Sequence, residues 1–307
     1  MKKSDLVKKF PNIYNVYAVF LENIRNLKYS YYSHLSPEKY PKILAKLYQK
    51  RTGKFLDWNN LRTYTEKLQW LKLYDHDIRK ARMTDKYLVR EWVMSTIGED
   101  YLIPLLGVWE SFDLIDFDKL PNSFVLKTNN GSGTNLIVKD KSSLNIKESE
   151  KLFRKWMRTK FAYDGLELHY NDIKPLILAE KYMEDEDSEL KDYKFLCFNG
   201  EVKYCWVDTN RFSDHRRNVY NLDWELQDWT QYKYKNTDNP IPKPKNFEMM
   251  IALAERLCEG FQHVRVDLYN VNGKIYFGEM TFTNGSGFEL IRPEKYNLLL
   301  GELININ

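Results

Sequence analysis

Paired strand-like runs in the second half of the chain constrain its fold more than any other feature. Three pairs of short apolar runs each flank a glycine-containing turn: residues 124–127 with 135–138, 193–198 with 202–207, and 264–269 with 274–279. The middle pair is joined by Asn199-Gly200, a strong hairpin signal because both residues readily adopt positive φ. We therefore predict that strands dominate after residue 120 and form antiparallel hairpins.

Helical spacing of apolar residues marks the remaining segments. We predict helices over residues 12–29, 38–50, 63–74, from 84 or 85 to about 97, 146–160 and 247–261. Thr63 and Glu66 have the spacing of a capping box. In the first helix one apolar face is expected to pack: Tyr14, Tyr17, Phe20, Leu21, Ile24 and Leu27. The chain is thus predicted to be an α+β protein with a helical N-terminal region.

Composition restricts the class of protein. The chain has 307 residues, 43% of them hydrophobic, which is enough to bury a core. Its three cysteines form no Cys-x-x-Cys pair, which argues against a disulfide framework and a thiolate zinc site. No apolar run has the length of a membrane span, and no signal-peptide core is present. These features predict a cytoplasmic location.

Positive charge is concentrated at the N-terminus. Residues 1–54 hold 12 Lys and Arg and three acidic residues, so the net positive charge of this segment is larger than that of the whole chain, which is +4. Such a segment is most simply a solvated basic face, although contact with anionic lipid or an anionic polymer is an open alternative. No nucleic-acid partner is predicted, because the segment contains no recognised fold or aromatic stacking motif.

Two segments have features of a nucleotide site. Lys127 ends a strand and precedes Gly131-Ser132-Gly133, a turn whose backbone N–H groups can line a phosphate. The turn lacks Gly-Lys-Ser/Thr and is not a Walker A loop, and an ordinary hairpin is the alternative. Residues 176–183 form an apolar strand that ends in Glu180-Lys181 and leads into an acidic loop. Such a strand can present polar groups to an adenine edge, although most of the loop acids are equally explained by solvation.

The most informative segment is Arg265-Val-Asp267 with Glu279 on the following strand. Arg265 and Asp267 share a strand face because they are two residues apart. Two adjacent carboxylates repel unless a cation lies between them, and few hard oxygen ligands suit magnesium with a polyphosphate. Arg265 on that face can stabilise developing negative charge. A surface salt bridge is the alternative, but it leaves the following Gly285-Ser286-Gly287 turn unexplained.

In this order the segments resemble the ATP-grasp superfamily, and most closely the TupA-like ATP-grasp proteins of teichuronopeptide and capsular polysaccharide biosynthesis. The resemblance covers roughly residues 40–300. Its motifs appear here as Glu66-Lys67-Leu-Gln-Trp70, Thr84-Asp85-Lys86-Tyr87, Asp192-Tyr193-Lys194-Phe195, Val264-Arg265-Val266-Asp267 and Gly278-Glu279-Met-Thr281. It implies an ATP-grasp fold in which two α+β subdomains clasp ATP. We expect a helical, basic region at 1–83 and an ATP-grasp domain at 84–307, divided into 84–180 and 181–307.

The resemblance also implies a nucleotide site. The expected ligands of ATP are the phosphate lysines Lys86, Lys127 and Lys194, the loop residues Ser132 and Gly133, the adenine-edge residues Glu180, Lys181 and Met183, and Asp187 at the ribose. Glu184 and Glu189 are alternatives to Asp187. Three cations around a triphosphate offset much of its charge.

Asp267 and Glu279 are the implied magnesium ligands. Thr281 occupies a position where the superfamily usually has Asn, so a second metal there is less well supported than the first; Asn284 is a possible substitute. Arg265 is expected to hold the oxygens of an acyl phosphate, and Lys194 to assist it.

The implied chemistry is ADP-forming ligation of a carboxylate to an amine. The expected carboxylate is a uronic acid, on a sugar nucleotide or a polysaccharide, and the expected amine is an amino acid or amino alcohol. The candidate substrate residues are Arg211, His215, Arg216, Arg217, Ser286 and Gly287, with a solvated basic loop as the alternative for the first four. A phosphotransferase on the same fold and a non-catalytic nucleotide-binding subunit remain alternatives. Peripheral contact with the inner face of the membrane or with glycosyltransferases is also considered.

Overall fold

The computed structural model describes residues 11–184, 190–210, 214–231 and 234–306, with side chains from residue 20 onward. Its α-helices are α1 (Pro11–Ser33), α2 (Tyr40–Thr52), α3 (Tyr64–Tyr74), α4 (Arg79–Thr84), α5 (Val89–Thr96), α6 (Ile146–Arg158), α7 (Ala162–Gly165), α8 (Phe247–Cys258) and α9 (Glu294–Glu302). The main strands are β1 (Leu105–Trp109), β2 (Phe124–Thr128), β3 (Asn135–Val138), β4 (Ile177–Lys181), β5 (Asp192–Phe198), β6 (Glu201–Thr209), β7 (Arg216–Tyr220), β8 (Thr230–Gln231), β9 (His263–Val271), β10 (Lys274–Thr281) and β11 (Ile291–Arg292).

The strands form two principal antiparallel sheets. One has the order β1-β4-β2-β3, and the other has the order β10-β9-β5-β6-β7. The three predicted hairpins, β2–β3, β5–β6 and β9–β10, are all present. Asn199 and Gly200 both adopt positive φ between β5 and β6, as the Asn-Gly signal predicts. The predicted α+β class is confirmed.

Two separate cores support these sheets. The five-stranded sheet packs one face on α8 and α5, with Phe195, Val266 and Leu253 among the buried residues. The four-stranded sheet packs on α6 around Phe124 and Phe153. The other face of each sheet is turned away from these helices.

Helix α3 joins the N-terminal region to the second sheet. The predicted capping box is present, because Thr63 accepts from the backbone of Glu66 and the Glu66 carboxylate accepts from the backbone of Thr63. Buried Tyr64 and Leu68 on this helix pack with Phe198 of β5 in one apolar cluster. Helix α3 is therefore part of the same folded body as the sheet.

Helix α1 differs from the sequence expectation. Phe20, Leu21, Ile24 and Leu27 of the predicted packing face are exposed, Leu27 by 71%. The helix instead docks through Tyr29, which is buried and donates a hydrogen bond to Asp164. Tyr29 lies about 180° around the helix from Phe20, because successive residues turn by about 100°. The side chains of Tyr14 and Tyr17 lie outside the described residues.

Helix α5 begins later than predicted. Asp85 caps a preceding turn, accepting hydrogen bonds from the backbone of Tyr87 and Leu88, and the helix starts at Val89. Within the described residues, no helix is both long and apolar enough to cross a membrane.

Candidate nucleotide and acyl-transfer site

The face of the five-stranded sheet that is turned away from α8 carries a row of charged side chains. Along β9, Val264, Val266 and Leu268 enter the core, so Arg265 and Asp267 point to the opposite face. Lys194 of β5 lies directly opposite Asp267 in the strand register. The alternation predicted from the sequence therefore brings charges from two neighbouring strands together.

A β-bulge at Gly278 brings Glu279 to the same face. The register shifts between Phe277 and Glu279, so that Glu279 pairs with Asp267. Without the extra residue, Glu279 would lie opposite core-facing Val266. Glycine suits this position because a Cβ on Gly278 would lie 3.0 Å from the carbonyl oxygen of Asp267.

Arg265 is the centre of the network. Its Nε donates to Asp267 Oδ1 at 2.6 Å, and its Nη2 donates to Asp267 Oδ2 at 2.6 Å and to Glu279 Oε1 at 3.0 Å. Burial opposes the charged guanidinium, but the Asp267 carboxylate raises the pKa of Arg265 above its usual value. This is a buried bidentate pair, since Asp267 is fully buried and Arg265 is 7% exposed.

Nη1 of Arg265 reaches toward the turn after β10. It donates to the side-chain oxygen of Asn284. Among the described residues, these contacts account for Nε–H, the Nη2 hydrogens and one of the two Nη1 hydrogens, so one Nη1 donor remains for a bound oxygen.

Lys194 is enclosed by carboxylates. Its ammonium lies 2.5 Å from Asp192 Oδ2, 2.6 Å from Asp267 Oδ2 and 3.9 Å from Asp208 Oδ2. Burial raises the pKa of Asp267, and the positive charges of Arg265 and Lys194 oppose that shift. Both Asp267 oxygens are therefore held by cations that keep the carboxylate in a fixed position.

A second set of cations lies on the four-stranded sheet and the segment before α5. Lys127 Nζ lies 2.6 Å from Glu180 Oε2, and Arg90 Nη1 lies 3.6 Å from Glu180 Oε1. Lys86 Nζ donates to the Gly131 carbonyl at 2.7 Å and lies 4.0 Å from Glu279 Oε2. Burial lowers the pKa of Lys86. Lys86 thus bridges the glycine turn and the carboxylate of the other sheet.

The remaining predicted nucleotide residues lie near this second set or outside the described chain. Ser132 and Gly133 are exposed in the turn between β2 and β3. Lys181 is exposed at the end of β4, and Met183 is half-buried two residues later. Asp187 and its alternative Glu189 lie outside the described residues, whereas Glu184 pairs with Lys139 at 3.1 Å.

The predicted basic substrate cluster is only partly available to a ligand. Arg217 is buried and pairs with both oxygens of Asp208, at 2.5 and 2.7 Å. Despite burial of the carboxylate, this guanidinium lowers the pKa of Asp208. Arg216 pairs with Asp214 at 2.6 Å, and His215 Nε2 lies 3.3 Å from Asp208 Oδ1. Arg211 lies outside the described residues.

The turn that contains Ser286 and Gly287 connects the site to residues that the sequence did not indicate. Ser286 and Thr283 both donate hydroxyl hydrogen bonds to the carboxylate of Glu167. Gln69 of α3 donates to the Gly287 carbonyl at 2.8 Å. Glu167 is more than 110 residues away in sequence and follows no recognisable motif spacing, so only the fold reveals it.

The sequence pattern of the TupA-like ATP-grasp family matches residues 66–305. The chain belongs to this family. None of the curated proteins compared with the chain matches it.

Solved structures with a similar fold include several ligases. D-alanine–D-alanine ligase from Bacillus anthracis complexed with ATP is 16% identical, with a TM-score of 0.37 over 66% of this chain and 54% of that one. L-amino acid ligase from Bacillus licheniformis is 13% identical, with a TM-score of 0.39 over 67% and 42%. D-cycloserine synthetase is 14% identical, with a TM-score of 0.40 over 73% and 69%. The TupA-like chain thus spans about half the length of the first two.

The donor set of this TupA-like chain fits one magnesium ion that also binds phosphate oxygens. Asp267 and Glu279 provide carboxylate oxygens from opposite positions on adjacent strands. Within the described residues, no group of three or more His, Cys, Asp or Glu side chains that could hold a metal occurs. The Thr281 hydroxyl donates to Glu279 at 3.1 Å and accepts from Arg265 at 3.2 Å, which orients Glu279.

Proposed function

We propose that this TupA-like ATP-grasp chain is an ATP-dependent ligase that joins a carboxylate to an amine through an acyl phosphate. The observation that carries the proposal is the buried pairing of Arg265 with Asp267 and Glu279, with Lys86 within 4.0 Å of Glu279. It supports a site where anionic groups of a nucleotide and a second substrate meet under fixed cations.

The reaction requires two displacements. A carboxylate oxygen of the first substrate attacks the γ-phosphorus of ATP, and the bond to ADP breaks. The nitrogen of a neutral amine then attacks the carbonyl carbon of the acyl phosphate, the bond to the phosphate oxygen breaks, and the nitrogen loses a proton. The acyl phosphate is needed because a free carboxylate has no adequate leaving group. The protein contributes mainly positioning and charge neutralisation.

The described cations have distinct roles in this proposal. Lys127 binds phosphate oxygens of ATP from the four-stranded sheet, Lys86 from the segment before α5, and Lys194 from the five-stranded sheet. The remaining Nη1 donor of Arg265 holds an oxygen of the acyl phosphate. Glu180, Lys181 and Met183 hold the adenine, Asp187 (or Glu184 or Glu189) holds the ribose, and Ser132 and Gly133 cover the phosphates.

Magnesium belongs to the proposed site. Asp267 and Glu279 would hold it, and when bound it neutralises phosphate charge. The Glu279 side chain is 35% exposed and that of Asp267 is 1% exposed, so Glu279 is the more accessible ligand. At Thr281, where a second metal would bind, the hydroxyl already donates to Glu279 and accepts from Arg265, which leaves it one lone pair.

We further propose that the carboxylate is a uronic acid and that the amine is an amino acid or amino alcohol, in cell-surface polysaccharide biosynthesis. The resemblance to proteins of teichuronopeptide and capsular biosynthesis supports this class. Arg216 and His215 are the more accessible basic residues for an anionic sugar, because Arg217 is buried against Asp208.

Product analysis tests the proposal against its alternatives. Purified protein is incubated with ATP, magnesium, glucuronate or galacturonate, and ethanolamine or amino acids, followed by mass spectrometry. Amide product with equimolar ADP is expected. Phosphorylated product formed without an amine would instead support a phosphotransferase. Full activity of a complex that contains Asp267→Asn would support a non-catalytic subunit.

A further inference from the structure

The carboxylate of Glu167 is placed beside the acyl-transfer site by a single turn. Thr283 donates to one Glu167 oxygen, and Ser286 donates to the other. The residue next to Thr283, Asn284, accepts from Arg265. Consecutive Cα atoms are about 3.8 Å apart, so adjacent residues hold the Glu167 carboxylate and the Arg265 guanidinium.

The hydroxyl of Tyr170 is affected by the same charges. Burial raises the pKa of the Tyr170 hydroxyl. The negative charges of Glu167 and Glu279 raise it further, and the positive charge of Arg265 lowers it. The charges of Glu167, Glu279 and Arg265 therefore all act on the Tyr170 hydroxyl.

Among the residues that the structure describes, no Lys or Arg nitrogen forms an ion pair with the carboxylate of Glu167. The nearby Lys72 instead donates to the Gly165 carbonyl at 2.8 Å and to Gln69 Oε1 at 2.9 Å. Burial also lowers the pKa of Lys72 to about 7, which weakens its positive charge at neutral pH. Within the described residues Glu167 therefore has no direct ion-pair partner, although the charge of Lys72 acts on it from nearby.

The backbone on both sides of this carboxylate is in a rare conformation. Leu166 has φ of 55° and Ser286 has φ of 53°, although neither residue is glycine. Such left-handed residues are costly and recur at ligand sites. The left-handed conformation of Leu166 changes the direction of the chain immediately before Glu167.

The site is rich in hydrogen-bond acceptors. A carboxylate has about four lone-pair directions, and the two hydroxyls occupy two of them. Each hydroxyl oxygen also retains acceptor capacity. A ligand that fits this arrangement carries several N–H donors and a positive charge.

We propose that Glu167, oriented by Thr283 and Ser286, anchors the ammonium group of the amine substrate before the amine attacks. This inference rests on the proposed ligase function and identifies the residue that selects the second substrate. Thr283 and Ser286 are positioning residues in it, and Glu167 touches the substrate.

Calorimetric titration with ethanolamine, glycine and L-lysine tests the anchor in the presence of magnesium and a non-hydrolysable ATP analogue. The wild-type protein is expected to bind at least one of these amines, and Glu167→Gln to bind it about tenfold or more weakly, because a charge-assisted hydrogen bond is lost. Glu110→Gln removes a surface carboxylate paired with Lys174 and should bind like the wild type. Ethylene glycol, which lacks the ammonium group, should bind neither to the wild type nor to the two variants.

Further variants separate an effect on folding from an effect on amine binding. If Glu167→Gln does not fold, Glu167→Asp takes its place. This variant keeps the negative charge but moves it away from the ligand, because the side chain is shorter, and weaker amine binding is again expected. Ser286→Ala should weaken binding less than Glu167→Gln. Equal amine binding by the wild type and the folded Glu167 variant, or no amine binding by the wild type, overturns the anchor.

Hydroxylamine separates this result from the proposed function. It is largely uncharged at pH 7.5, so it can trap an acyl phosphate as a hydroxamate without an ammonium site. Hydroxamate formation from ATP and a uronic acid should therefore survive in Glu167→Gln. If the wild type forms no hydroxamate but amine binding still depends on Glu167, the anchor stands and the ligase assignment fails. Parallel loss of hydroxamate in a folded Glu167→Gln protein contradicts a role confined to the amine.

Discussion

Glu279 lies directly opposite Asp267 because β10 contains one extra residue at Gly278. The core-facing residues of β10 change phase across this bulge, from Ile275 and Phe277 before it to Met280 and Phe282 after it. The bulge thus allows both ends of the segment to bury apolar side chains while two carboxylates share the opposite face.

Adding a side chain at the bulge should disturb the site more than the fold. A Cβ at position 278 would lie 3.0 Å from the Asp267 carbonyl and 3.2 Å from the ring of Tyr269. In Gly278→Ala we expect kcat to fall about tenfold or more, because a displacement of about 1 Å at reacting groups is costly. Steady-state ADP release measures this effect. Thermal unfolding provides the control, and a normal kcat would mean that the bulge does not set the position of Glu279.

Removing the charge of Asp267 should destabilise the protein. Arg265 and Lys194 would remain buried without their shared counter-charge, so Asp267→Asn is expected to lower the free energy of unfolding by about 3–5 kcal/mol. Urea denaturation measures the change. Asp238→Asn is the matched control, because Asp238 is 90% exposed and should change stability by no more than about 0.5 kcal/mol. Equal stabilities of the two variants would contradict the buried network.

Magnesium dependence should identify Glu279 as a ligand. In Glu279→Gln we expect the magnesium concentration for half-maximal activity to rise about tenfold or more, because a carboxylate is replaced by a neutral oxygen. Glu248→Gln, at an exposed surface pair with Lys243, is the control. An unchanged magnesium requirement would remove Glu279 from the metal site.

Lys72 should make stability depend on pH. Burial lowers its pKa to about 7, below its ordinary value of 10.5, so between these values the unfolded chain binds more protons than the folded chain. Stability should therefore rise with pH from 7 toward 10.5, by at most about 5 kcal/mol from this residue. Comparing urea unfolding of wild type and Lys72→Met at pH 7 and 9.5 isolates this contribution. Lys203→Met, at a surface pair, should keep the wild-type pH dependence.

For the basic N-terminal segment, we propose a test of contact with anionic membranes, the alternative to a solvated basic face. Residues 1–54 are strongly basic, and α1 exposes Phe20, Leu27 and Tyr31 on the side away from the packed Tyr29. Co-sedimentation should detect binding to vesicles that contain phosphatidylglycerol and little binding to phosphatidylcholine vesicles. Phe20→Ser with Leu27→Ser should weaken it, whereas Ile78→Ser, at a residue 91% exposed outside α1, should not. Indifference to lipid charge would contradict the prediction.

The sequence predicted local structure well where short-range chemistry determines it. The Asn199-Gly200 hairpin and the Thr63–Glu66 capping box follow from residues within four positions of each other. Alternation along β9 also predicted that Arg265 and Asp267 share a face. In contrast, the exposed face of α1 could not be predicted, since periodicity shows that a face is apolar but not whether another element covers it.

Long-range pairing explains what the sequence did not predict. The burial of Arg217 against Asp208 depends on the register of β6 and β7, so the basic run alone resembled an open ligand site. Glu167 enters the site only because α7 packs near the turn after β10. Composition and local sequence patterns predict neither the pairing of Arg217 with Asp208 nor the position of Glu167.

Isotope transfer tests the central proposal most directly. Glucuronate or galacturonate labelled with ¹⁸O in the carboxylate is supplied with ATP, magnesium and an amine that supports product formation, and the phosphate is analysed by mass spectrometry. An acyl phosphate predicts ADP and phosphate that carries one ¹⁸O atom from the carboxylate. Formation of AMP and pyrophosphate, or of unlabelled phosphate with the amide, would contradict the account.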